Sequence, residues 1–253
     1  MNDIIFRVPG YRDQILDELV CRSDYRRSTK DILIVAHDQL PYLQRCVQSI
    51  RNNTSDYTLR VWDNGSSPET SSWISSQSDI VRYRSEENLG FIVPNNRMCA
   101  DCHSEHIILL NSDTEVMPWW DEAMIAMVQK RGYSQVGYLG GRLDESGKGS
   151  AFAFGADIDY IPGWCFCIPM SVYRSHGLFD EDNLDFAYCE DSDLSLRITE
   201  SGGKIYSLHL GLVVHHENKT ILEVSKSRDC KESYRRNHEY IRRRHGHRLK
   251  TGL

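Results

Sequence analysis

Short apolar runs alternate with amphipathic stretches along most of this chain. Asp31-Ile32-Leu33-Ile34-Val35-Ala36 predicts a strand. From Pro41 to Ile50, Leu43, Cys46, Val47 and Ile50 recur on one face of a helix. Tyr57 to Trp62 predicts a second strand, Val81 to Arg84 a third, and Ile107-Ile108-Leu109-Leu110 a fourth, buried on both sides. This alternation predicts βαβ units around a largely parallel sheet. The first 30 residues predict a strand and helix added before the repeat. Beyond Val136 glycines and aromatics loosen the pattern, and Asp191 to Ser201 predicts a further helix with Leu194 and Ile198 one turn apart.

Ligands of open α/β sheets sit beyond the carboxyl ends of the strands, and polar residues gather there. The fourth strand ends in Asn111-Ser112-Asp113-Thr114. Asp113 can anchor a Mg²⁺ or Mn²⁺ ion, which takes a few hard oxygen ligands and leaves the rest to a substrate diphosphate. The alternative is that Asp113 and Thr114 cap a helix opened by Pro118. The second strand ends in Asp63-Asn64-Gly65-Ser66, where a carboxylate can accept the N3–H of a uracil or thymine and Gly65 lets backbone approach the ligand. Asn88-Leu89-Gly90 precedes a helix carrying Asn95, Asn96 and Arg97. Glu190, Asp191 and Asp193 crowd three carboxylates together, which a cation or proton transfer offsets; a charged helix start is the other reading. Val213-Val214-His215-His216 ends a strand, and only one of its histidines can face a given site.

Composition narrows the setting. The 253 residues, 40% hydrophobic, suffice for one substantial core. No apolar run approaches a membrane span, and the N-terminal residues lack a signal-peptide pattern, so a cytoplasmic location with eight reduced cysteines is expected. Lys226 to Lys250 holds ten Lys/Arg against Asp229, Glu232 and Glu239, leaving 20 basic and 33 acidic residues elsewhere. This basic tail reads as a solvated helix face packed on the body, or as a peripheral contact with anionic lipid. Cys99-Ala100-Asp101-Cys102-His103 has haem-attachment spacing but lies on a predicted helix, and Cys165-Phe166-Cys167 is expected to point its thiols to opposite faces of a strand.

The segments "DILIVAHDQLPYLQRCVQSI", "VWDNGSS", "ENLGFIVPNNR", "ILLNSDTEV", "GLFDEDNLDFAYCEDSDLSLRI" and "VVHH", in this order, resemble the inverting nucleotide-sugar glycosyltransferases of family 2. The resemblance implies an α/β GT-A fold: residues 31–217 as catalytic domain (31–115 nucleotide-binding, 116–217 acceptor-binding), an extension over 1–30 and a helical tail over 218–253. It implies a nucleotide-sugar donor, with a UDP-sugar expected and a dTDP-sugar possible by the same base edge, and a glycan or other hydroxyl acceptor; nucleic acid is not an expected partner. Ala36, Asp38 and Asp63 would line the nucleoside pocket, and Asn64, Gly65, Asn88, Gly90, Asn95, Arg97, Asn111 and Ser112 complete the expected donor side. Asn111-Ser112-Asp113 stands where the family carries its Asp-x-Asp motif, with Asn111 replacing the first carboxylate. Asp113 would bind Mn²⁺ or Mg²⁺, His215 would add a ligand, Asp191 would be the general base and Glu190 would bind or orient the acceptor. The segment from Gly140 to Asp159 is expected to help select the acceptor. The Asn111 departure suits an inactive sugar-nucleotide or glycan-binding module. A nucleotidyltransferase would need a glycine- and basic-rich phosphate loop, which Ala36-His37-Asp38-Gln39 lacks.

Overall fold

A computed structural model describes residues 28–216 and 228–249. Seven strands form the central sheet: β1 (Lys30–Ala36), β2 (Tyr57–Asn64), β3 (Ile80–Ser85), β4 (His106–Leu110), β6 (Gln135–Gly137), β9 (Cys165–Pro169) and β10 (Ile205–Ser207), in the order β10-β6-β9-β4-β1-β2-β3. The β1, β2, β3 and β4 pairings are parallel, as is β6 with β10; β9 runs antiparallel to β4 and β6. Two ribbons stand off this sheet: β5 (Thr114–Val116) with β11 (Val213–His215), and β7 (Gly140–Leu143) with β8 (Gly149–Ala153). The expected extension lies outside the described residues apart from Ser28, Thr29 and Lys30.

Strand side chains alternate between two cores. Ile32, Ile34, Ile108 and Leu110 meet α1 (Leu40–Asn53) and α4 (Trp120–Arg131) on one face. Leu33, Ile107, Leu109 and Phe166 meet α3 (Ile92–Ala100) and α6 (Glu190–Glu200) on the other. The remaining helices are α2 (Pro68–Ser76), α5 (Met170–His176) and α7 (Arg228–Leu249). In α1 the buried residues are Leu43, Cys46, Val47 and Ile50, the face its spacing predicts. All five residues of β4 are buried.

Two expectations are corrected. Cys165 and Cys167 both enter the first core and only Phe166 the second, because a period of two returns residue i+2 to the same face. Asp113 and Thr114 cap no helix: β5 intervenes, Pro118 lies in a turn, and α4 starts at Trp120. Cys99 and Cys102 are buried in the second core, with the Cys102 thiol donating to the Met98 carbonyl at 3.4 Å. Among the described residues no helix is long and apolar enough to cross a membrane.

The basic tail packs on the body. In α7 the side chains of Ser233, Asn237, Tyr240, Ile241, His245 and Leu249 are buried, while Arg235, Arg242 and Arg243 face outward. His245 bridges Asp193 and Glu200, and Arg244 pairs with Asp180. Asn237 donates to the carbonyls of Asp185, Ala187 and Tyr188 and accepts the Asp185 N–H.

Candidate functional site

The carboxyl ends of β1, β2 and β4 open into a cavity of about 520 Å³. His37, Asn64, Asn88, Gly90, Asn111, Ser112, Asp113, Glu190, Asp191 and His215 line it together with Trp164 and Tyr160. Residues separated by more than 100 positions in the chain thus converge at the place where the sheet topology puts a ligand.

At the end of β4 the chain turns sharply. Thr114 Oγ1 donates to the Asn111 carbonyl at 2.8 Å, and the Asn111 N–H is held by the Trp164 carbonyl at 2.8 Å. The turn feeds β5, whose antiparallel pairing sets His215 opposite Thr114. His215 Nε2 consequently lies 3.1 Å from Asp113 Oδ1 and 3.4 Å from Asn111 Nδ2. The Trp164 indole stacks on the His215 ring at 5.0 Å and 12°, so that face is already covered. His216 points away, to Glu115 at 2.7 Å and to the Tyr42 ring. The alternation expected for these two histidines is what separates them.

One carboxylate and one imidazole suit a divalent cation as far as they go. Adjacent ligands on an octahedral ion with bonds of about 2.1 Å lie about 3 Å apart, close to the 3.1 Å between Asp113 and His215. Among the described residues no group of three His, Cys, Asp or Glu side chains forms a closed metal site. The donor set therefore fits an ion that arrives with further oxygens, from phosphate or water, better than a resident one. Asn111 can offer a neutral amide oxygen in place of a carboxylate.

The second functional pair starts α6. Glu190 is buried and its Oε2 has no hydrogen-bond partner among the described residues. Burial and the neighbouring Asp191 push its carboxyl up to about 8. Burial also raises Asp191, but three donors favour its ionised form: Gly163 N–H at 3.0 Å, Ser192 N–H at 2.7 Å and the Ser192 hydroxyl at 3.2 Å. Asp191 is thus the carboxylate built to carry charge, and Glu190 the one built to hold a proton near neutrality. Tyr160, pushed up to about 12 by burial and by Asp191, stands beside this pair.

The approach to α6 is strained. Phe186, Tyr188 and Cys189 all have positive φ, at 58°, 73° and 70°, which side chains with a Cβ rarely adopt. Asn237 holds this segment through the carbonyls described above, and the Phe91 N–H donates to the Phe186 carbonyl at 2.7 Å. Such strain persists only where the surroundings enforce it, and it is concentrated where Glu190 and Asp191 are aimed. Asn237 escaped the reading of the sequence because it sits inside a run of charges more than 40 residues downstream.

Several expected donor-side residues stand off the cavity. Asp63 is fully buried, accepts the Ser66 N–H at 3.0 Å, and pairs with Arg84. Ala36 is buried beneath it in β1. Asp38 shapes the neighbouring loop through Ser66 and Ser67. Asn95 caps back to the Phe91 carbonyl, and Arg97 is exposed on α3. Gly65 serves close packing of two loops rather than approach to a ligand: at φ 72° a Cβ there would meet the Glu87 carbonyl carbon at 2.6 Å. Gly90 is packed as tightly, 2.2 Å from the Phe186 oxygen by the same measure. Asn64 knits the loops together, donating to Asn88 Oδ1 and the Gly90 carbonyl and accepting the Leu89 N–H.

Comparison with known proteins places this arrangement. The family described as Glycosyl transferase family 2 matches residues 31–153. No curated protein matches the sequence. Among solved structures, GalNAc-T7 with UDP, GalNAc and Mn²⁺ aligns with a TM-score of 0.65 at 18% identity, over 76% of this chain and 44% of that one. The mannosyltransferase PcManGT from Pyrobaculum calidifontis, in complex with GDP-Man and Mn²⁺, aligns at 0.62 and 13% identity over 95% and 79%. TarS 1-349 of S. aureus with UDP-GlcNAc aligns at 0.55 and 12% over 72% and 56%. The chain spans less than half of the GalNAc-T7 chain, and at these identities the likeness is one of fold. The match over residues 31–153, just under half of the chain, and the mixed, mostly parallel sheet agree: these residues are similar to glycosyl transferase family 2, and the fold is that of the GT-A glycosyltransferases.

Proposed function

We propose that this protein transfers a sugar from a nucleoside-diphosphate sugar to an acceptor hydroxyl by a single, inverting displacement. The observation that carries the reading is that Asp113 with His215, and Glu190 with Asp191, line one cavity. Asp113 and His215 would hold a Mn²⁺ or Mg²⁺ ion brought with the donor, His215 favouring Mn²⁺. Such an ion supplies Lewis acidity to the departing diphosphate. Solved relatives of the fold were captured with UDP or GDP-Man and Mn²⁺, which supports a donor of this class.

Asp191 takes the proton of the incoming hydroxyl. Burial raises its basicity while three donors favour its ionised form, the combination a general base needs. Glu190, protonated near neutrality, donates a hydrogen bond that orients the acceptor. Asn64, Asn88 and Gly90 shape the nucleoside end, and the buried Asp63–Arg84 pair braces the strand ends behind them. A UDP-sugar is the first donor to try.

The test is a panel of UDP-, dTDP- and GDP-sugars with Mn²⁺ and with EDTA, read as release of free nucleoside diphosphate. Release with one donor, lost in EDTA, supports the reading. Absence of both release and nucleotide binding overturns it. Nucleotide binding without any turnover favours an inactive binding module, the reading that Asn111 beside His215 supports.

A further inference from the structure

Strand β9 enters the sheet antiparallel to β4, so its first residue, Cys165, lies beside Leu110 at the carboxyl end of β4. Trp164 stands one step before Cys165. Its carbonyl accepts the Asn111 N–H at 2.8 Å, which carries the β4–β9 ladder one bond further, into the turn that holds Asp113. On its other side the Gly163 N–H donates to Asp191 Oδ2 at 3.0 Å. Gly163 is pressed between α6 and Phe91: a Cβ there would lie 3.3 Å from Phe91 Cε1 and 3.7 Å from Asp191 Cβ. The backbone that carries the Trp164 indole is thus pinned to both halves of the site, and the side chain, half-buried, packs against the first core.

His215 is the less supported partner. It ends β11, a strand of three residues paired with the three of β5, off the main sheet. The terminal torsion of an imidazole is broad and roughly two-fold. Aiming Nε2 at Asp113 therefore requires both the right ring plane and the right one of two flips. The flip is selected at Nε2 itself, by Asp113 Oδ1 at 3.1 Å and Asn111 Nδ2 at 3.4 Å. The plane is selected by Trp164, whose ring lies 5.0 Å away and 12° from parallel.

We infer that Trp164 is a positioning residue: its indole holds the His215 imidazole in the plane in which Nε2 can share a divalent cation with Asp113. The inference rests on the proposed function and gives a role in it to a residue beyond the segment that matches the family, which ends at residue 153. Groups behind a metal-binding His set its orientation and so tune affinity for the ion. Here the setting group is a ring face, and its grip on β4 and on Asp191 places the imidazole in register with the rest of the site.

Calorimetric titration of UDP or GDP into the whole chain, in Mn²⁺ and in EDTA, tests this. The readout is the gain in nucleotide affinity that Mn²⁺ confers. Trp164→Ala should cut the gain about three- to tenfold, the size of one stacking contact, with affinity in EDTA within about twofold of wild type. Trp164→Phe, which keeps a flat ring, should retain the gain. Trp164→Leu, which keeps apolar bulk without a ring face, should lose it as Ala does, and this pair decides the matter even where the Ala variant folds poorly. In a His215→Ala background Trp164→Ala should change the gain no further, because the indole acts through the imidazole. The inference is overturned if Trp164→Leu keeps the full gain, if Trp164→Phe loses as much as Leu, if affinity in EDTA falls in parallel, or if Trp164→Ala still lowers the gain without His215. Equal nucleotide affinity of wild type in Mn²⁺ and EDTA would remove the cation from the proposed function and this role with it; absence of any nucleotide binding would be the failure of the proposed function itself.

Discussion

Replacing Glu190 by Gln should stabilise the fold progressively as pH rises, at the expense of acceptor handling. The native carboxyl is buried with one oxygen unpartnered among the described residues, and its pKa is moved from 4.5 to about 8. Each unit corresponds to about 1.4 kcal/mol, so the full shift is on the order of 5 kcal/mol, reduced to roughly 2–4 kcal/mol once local relaxation is allowed for. The sign follows from proton counting. Below pH 4.5 both folded and unfolded chains are protonated at this position and the group is neutral to stability. Between 4.5 and about 8 the unfolded chain releases the proton while the folded chain keeps it, so wild-type stability declines with pH. Above about 8 the loss is complete. Glu190→Gln removes this dependence, and lowering the charge beside Asp191 acts in the same direction. Thermal unfolding of both proteins from pH 5 to pH 9 reads the effect. The gap in melting temperature should widen in favour of Gln by roughly 4–16 °C across that range, using about 2–4 °C per kcal/mol for a chain of this size. The amide brings its own buried polar atoms, so the pH-dependent part of the gap is the diagnostic. A gap that does not change with pH, or that moves toward wild type at pH 9, refutes the assignment of Glu190 as the protonated member of the pair.

Asp113→Ala should abolish transfer with little change in melting temperature, and near-normal turnover in Mn²⁺ would remove Asp113 from the cation site; Asn111→Asp should be tolerated and lower the Mn²⁺ concentration needed. His215→Ala should raise the Mn²⁺ concentration for half-maximal activity far more than His216→Ala, whose imidazole pairs with Glu115 instead; the reverse ranking would mean that the wrong face of β11 was assigned. Asn237→Ala should cost about 1–3 kcal/mol in urea unfolding through the carbonyls it leaves unpaired, and should lower kcat by loosening the strained segment before Glu190; a variant with full stability and full activity would deny it a holding role.

Elements whose signal is local were legible in the sequence. The four buried residues of α1 follow from a 3.6-residue period, and β4 from an unbroken apolar run, and together these locate Asn111, Ser112 and Asp113 at a strand end. Glu190 and Asp191 stood out as a carboxylate cluster, and His215 and His216 as alternating faces. What was lost depends on partners far away in the chain. Gly65 read as ligand-facing, but it is needed where two loops cross, a fact carried by Glu87. Asp63 read as a free acceptor, whereas Arg84 from the neighbouring β3 already pairs with it. Tyr234, His238 and Asn237 lie in a stretch whose dominant feature is charge, and their buried or cavity-facing positions emerge only from the helical phase of α7 against the β7–β8 tip. The thiols of Cys165 and Cys167 were misplaced by a parity error, since strand neighbours two apart share a face.

The central claim is that Asp191 acts on the acceptor as base while the donor is held elsewhere in the same cavity. Calorimetric titration of the intact sugar nucleotide into wild type and Asp191→Asn, with single-turnover rates measured on the same samples, tests it most directly. Donor affinity should stay within about twofold while the rate falls about 10²–10⁴-fold, the loss expected for a general base. Retention of the rate in Asp191→Asn, with Glu190→Gln inactive instead, would move the base to Glu190; loss of donor affinity in parallel with the rate would contradict the separation of the two roles altogether.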